Sequence, residues 1–102
     1  MTAKLFAVMR TRGPAWDDAL TMEEQVDWRP HADFMNALQA EGVALLAGPL
    51  AGTRDVLLIL RADSEAEIER RLAGDCWSVK GLLRTVWIKP WWLRLGTLGL
   101  DA

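Results

Sequence analysis

The order of apolar and amphipathic segments predicts an α+β fold of the ferredoxin-like, β-α-β-β-α-β kind. Three observations carry the prediction. Four short apolar runs bounded by Gly, Pro and polar turns read as strands. Two stretches of helical periodicity separate the first strand from the second and the third from the fourth. Between the second and third strands lies only the polar turn "AGTR", which suits an antiparallel hairpin. Two helices cover one face of a four-stranded antiparallel sheet. The runs are apolar on consecutive residues, such as Leu57, Leu58, Ile59 and Leu60, so the other face calls for a partner. A homodimer packing sheet on sheet, a dimeric α/β barrel, would supply it.

"KLFAVMR", Lys4 to Arg10, has the length of a strand buried on both faces, and Gly13-Pro14 marks the loop after it. "TMEEQVDWRPHADFMNALQAEG" reads as helix. Thr21 and Glu24 have capping-box spacing, a break is expected before Pro30, and Pro30 falls in the first turn of the main helix. Phe34, Leu38 and either Ala37 or Met35 share a face of that helix, with His31 at its head, and Gly42 ends it. "VALLAGPL" and "DVLLILRA" are the second and third strands. "DSEAEIERRLAGD" is the second helix, with Ser64 and Glu67 at capping-box spacing, a Glu67–Arg71 pair and a stop at Gly74. "LLRTVWIKPWW" is the fourth strand, ending near Pro90. One domain is expected over residues 1–95, followed by a tail over 96–102 with little to bury.

Composition narrows the function. The chain has 102 residues, 51% hydrophobic and 25% charged, with a net charge of −2, which is ordinary for a globular domain. Its basic residues are scattered, which argues against a nucleic-acid partner. No apolar run is long enough to span a bilayer, and the start lacks a secretory layout, so the cytoplasm is the expected location. One histidine and one cysteine do not suffice for a zinc site of the usual kind, and no metal is expected. Six tryptophans without a tyrosine point to pocket walls and interfaces as well as core.

The stretch "LAGDCWSVKGLL", Leu72 to Leu83, admits three readings. Asp75 is a helix cap of a short "CWSV" turn, or one half of an acid–base pair, or the neighbour of a nucleophilic Cys76. A small buried apolar role suits Cys76 as well. "RTRGPAWD" after the first strand, the histidine at the head of the main helix, "LLAGPL", "GDCWSVKGLL" and "VWIKPWWL" coincide in order and spacing. Together, from about Lys4 to Leu95, they resemble the YCII-related family of small dimeric α/β-barrel proteins. That family has a histidine at the start of this helix and an aspartate in an Asp-Pro-aromatic motif after the second helix. The histidine carries over to His31, the aspartate to Asp75 and the aromatic to Trp77. The proline does not, because Cys76 stands there.

The resemblance implies a small cofactor-independent homodimeric enzyme, using a His31–Asp75 pair for lyase- or isomerase-type proton transfer on an aromatic or lactone-like molecule. A carboxylate beside His31 fixes its tautomer and ring direction. The bland alternative is a hydrogen-bonded core or capping histidine. Arg10 and Arg12 stand where the pocket mouth would lie, suited to an anionic substrate group or to solvent. Trp28 and Trp77, with Trp16, are candidates for the pocket wall, and Trp87, Trp91 and Trp92 for dimer contacts. A non-catalytic dimeric ligand-binding domain and a cofactor-free oxygenase of similar fold remain open beside the acid–base enzyme.

Overall fold

A computed structural model describes residues 4–96, so all of the expected tail beyond Gly96 lies outside the described residues. The chain forms β1 (Lys4–Arg12), a 3-10 turn (Met22–Glu24), α1 (Trp28–Ala40), β2 (Ala44–Pro49), β3 (Asp55–Ala62), α2 (Glu65–Leu72), α3 (Cys76–Val79) and β4 (Leu83–Pro90). The strands make one antiparallel sheet in the order β2-β3-β1-β4, an α+β architecture. No helix among the described residues is long and apolar enough to cross a membrane.

Alternation along β1 sorts its side chains. Phe6, Val8 and Arg10 are buried, whereas Leu5, Ala7 and Met9 are half-buried. Antiparallel register places Phe6 opposite Leu60 and Val8 opposite both Leu58 and Ile88. These residues join Leu38 of α1 with Ile68 and Leu72 of α2 in the main core, so both longer helices lie on that face. The strand is therefore buried fully on one face, not on two. The opposite face presents Leu5, Ala7, Met9, Leu57 and Trp87, half-buried, and Leu46, which is exposed.

The first helical segment is divided as its proline requires. The Glu24 carboxylate accepts the Thr21 N–H at 2.9 Å over a single 3-10 turn. The helix proper begins at Trp28, with Pro30 in its first turn, where a missing N–H costs little. Met35, rather than Ala37, packs on the core beside Leu38. Gly42 follows with φ 78°, the left-handed conformation that stops a helix at low cost.

Two details of α2 depart from the pattern in the sequence. Ser64 caps the Glu67 N–H at 3.2 Å, but the Glu67 carboxylate accepts the N–H of Asp63, at 2.8 Å. With Glu67 turned toward the helix start, Arg71 donates instead to Glu41 at the end of α1, at 2.6 Å, tying the two helices together. Gly74 follows the last turn where a Cβ would stand 3.6 Å from the Phe34 ring.

The Gly13-Pro14 loop docks on the α3–β4 connection. Gly13 N–H donates to the Leu82 carbonyl at 2.8 Å and Ala15 N–H to the Gly81 carbonyl at 3.1 Å. A Cβ on Gly13 would overlap the Gly81 carbonyl oxygen. Gly13→Ala is therefore expected to destabilise the fold by about 1–3 kcal/mol through overpacking, read as a lowered midpoint in urea unfolding.

Candidate functional site

The site forms where β1, α1 and α3 meet. Asp75 is the N-cap of α3, and its Oδ1 accepts the Trp77 N–H at 3.2 Å. The cap reading thus holds, but it occupies only part of the carboxylate. Asp75 is 0% exposed. His31 Nδ1 stands 3.0 Å from Oδ1 and 2.9 Å from Oδ2, and Arg10 Nη1 donates to Oδ2 at 3.2 Å. Cap and pair therefore coexist on one side chain.

Burial pushes the Asp75 carboxyl up, but His31, the Trp77 N–H and Arg10 together outweigh it and hold the group below its usual value. An ionised carboxylate only accepts hydrogen bonds, so Nδ1 carries the proton and donates it. In the neutral ring Nε2 holds the lone pair, and it has no hydrogen-bond partner among the described residues.

Arg10 reaches Asp75 because β1 is in phase with the core. It is 1% exposed, and its guanidinium also donates to the Ser78 hydroxyl, which in turn donates to the Leu72 carbonyl at 2.8 Å. A register shift between Met9 and Arg10 lies beside β4, so that Met9 faces Trp87 and Arg10 faces Thr85. Such a bulge re-aims the strand's side chains next to the site. Burial lowers the Arg10 pKa and Asp75 opposes it.

Aromatic rings hold His31 in place. Its ring stacks on Trp77 at 3.8 Å and 8°. Trp77 is anchored by its Nε1–H donating to the Val26 carbonyl at 2.7 Å, and Trp16 meets it edge-on at 5.3 Å and 84°. Trp28 leans on both rings, at 6.1 Å from His31 and 5.9 Å from Trp77. Asp27, directly before α1, takes φ 59° and its carboxylate pairs with Lys80 just beyond α3. Its carbonyl accepts the His31 N–H at 3.0 Å, so this strained residue ties the head of α1 to α3.

A cavity of about 320 Å³ opens in front of these groups. Arg10, Trp28, His31 and Trp77 all line it, together with Arg12, Trp16, Met22, Met35, Asn36 and apolar residues of β2 and β3. Cys76 does not line it. Its Sγ lies 3.8 Å from the Asp27 carbonyl, and burial, then Asp75 and Asp27, push the thiol up, so the nucleophile reading finds no support.

The family model of the YCII-related domain matches residues 5–92. The chain belongs to the YCII-related family. No curated protein and no solved structure matches it.

In this YCII-related chain, the structure brings His31, Asp75, Arg10, Trp28 and Trp77 into one cluster. Ser78 and Asn36 escaped the sequence reading, since a lone polar residue in a short connection carries no pattern. The tie of Arg10 to Asp75 had a legible sign: a charge in the core phase of Phe6-Val8-Arg10 requires a buried counter-ion.

Because the Asp75 pKa is depressed in the fold, its contribution to stability is present above about pH 4, the unfolded value, and is lost as pH falls through the folded value. Asp75→Asn leaves Arg10 buried without a counter-ion, and is expected to cost about 3–5 kcal/mol at neutral pH. Chemical denaturation of both proteins from pH 7 to pH 2 should show this gap narrowing in acid.

Proposed function

We propose that this YCII-related protein is a small acid–base enzyme that needs no cofactor, in which His31 moves a proton on a small aromatic or lactone-like molecule and Asp75 orients and charges the pair. One observation carries the reading. A histidine bonded through Nδ1 to a buried, ionised aspartate lines a cavity of small-molecule size, and its Nε2 has no hydrogen-bond partner among the described residues.

Nε2 takes a proton from an acidic C–H or O–H of the ligand. The imidazolium that forms is stabilised by the Asp75 carboxylate beneath it and by the stacked face of Trp77. Asp75 stays ionised, because His31, the Trp77 N–H and Arg10 all favour its charged form. Return of the proton to a neighbouring atom gives isomerisation, and departure of a leaving group gives elimination.

The test is deuterium uptake in D2O, followed by NMR, by small lactones, ketones and hydroxyarenes with an acidic hydrogen. At least one class should exchange faster with protein than in buffer, and His31→Gln should slow that exchange by about 10²–10⁴-fold. Exchange at the buffer rate throughout, or exchange that His31→Gln leaves intact, would refute the reading.

The same proposal makes the β-α-β-β-α-β chain one half of a ferredoxin-like dimeric barrel. The support is the apolar face left bare by the helices, with Leu46, Leu57 and Trp87 on it. Sedimentation at micromolar concentration should return twice the chain mass, and a monomer would remove the sheet-on-sheet assembly.

A further inference from the structure

We infer that the cavity takes a small carboxylic acid with an apolar body, and that Arg12 is the residue that binds its carboxylate. The inference rests on the cavity being the ligand site proposed above, and it names the class of molecule that enters.

Arg10 and Arg12 follow the same alternation on β1, so both turn to the cavity side of the sheet, and both line the cavity. Their circumstances differ. Arg10 is buried, and its charge is matched by Asp75. Arg12 is half-buried at the strand end and has no acidic partner among the described residues. None of its side-chain N–H groups donates to an acceptor of the chain among those residues.

The Arg12 guanidinium is nevertheless held in place, with its carbon 4.4 Å from the centre of the Trp16 ring. Stacking on an indole face fixes the plane of the group and leaves its in-plane N–H fork free for a bidentate acceptor. Among the described residues no Asp or Glu lines the cavity, and the nearby Asp75 carboxylate is paired with Arg10. The remaining wall is mostly apolar, including Met22, Trp28, Met35 and Leu58, which suits a hydrocarbon body. The Arg12 guanidinium, without an acidic partner among the described residues, matches the single charge of a carboxylate. A ligand anchored there lays its body along the tryptophans that border His31.

The probes are phenylacetate and its neutral counterpart phenylacetamide, titrated into the full chain and followed by the indole N–H signals of Trp28 and Trp77 in ¹⁵N-labelled protein. Phenylacetate should bind about tenfold more tightly than phenylacetamide, the worth of one charge-assisted contact. Arg12→Gln should abolish that preference by weakening phenylacetate far more than phenylacetamide, and Arg12→Lys should retain part of it. Equal affinity for the two probes in the parent protein, or a preference that survives Arg12→Gln, would overturn the carboxylate site and leave the small-molecule cavity standing. Binding of neither probe would overturn the carboxylate site together with the cavity as the ligand site. The His31 exchange experiment tests the acid–base chemistry separately, because it reads proton transfer and not anion preference.

Discussion

The fully buried carboxylate of Asp75 is the constraint around which this structure is arranged. A lone charge at 0% exposure is untenable, so the fold must bring donors to it. It brings three, each from a different element: Arg10 from β1, His31 from α1 and the Trp77 N–H from α3. The carboxylate thereby joins elements up to 65 residues apart in the chain. Remove it, and Arg10 becomes the buried charge without a partner. That reciprocity explains how a polar cluster persists next to a core of Phe6, Val8, Leu58 and Leu60.

The same arrangement separates two jobs that a single charged site tends to confuse. Arg10 gives Asp75 a counter-charge from one side, while His31 and the Trp77 N–H favour the ionised carboxylate from the other. His31 lines the cavity, and the stacked Trp77 ring sets the imidazole plane. Trp77 is the element common to both. Its backbone N–H meets Asp75, its indole N–H meets Val26, and its ring face carries the histidine. An aromatic side chain with one polar handle is the residue type able to fill a core position and orient a neighbour at once.

The readings that came straight from residue patterns concern local chemistry. Gly42 stops α1, Pro30 stands in its first turn, and Asp75 caps α3, since each depends only on backbone conformation within a few residues. The patterns failed where a side chain had a choice of partners. Glu67 was as well spaced for Arg71 as for the helix start, and the nearness of Glu41 to Arg71 is a product of helix packing. Cys76 likewise reads as nucleophile or filler until its distance from Asp27 and its place outside the cavity are known.

The sequence by itself determined the α+β class, the order of the elements, and His31 and Asp75 as the residues to examine. Periodicity, caps and turns are written in neighbouring residues, and the spacing of short motifs along the chain carried the family resemblance. Only the tertiary structure decided that Arg10 turns inward to Asp75 while Arg12, two positions on, stacks over Trp16. Alternation gives both arginines the same face, and what lies opposite each is set by the packing of α3 and the loop after β1. Electrostatic roles depend on distance and burial in three dimensions, which no one-dimensional pattern contains.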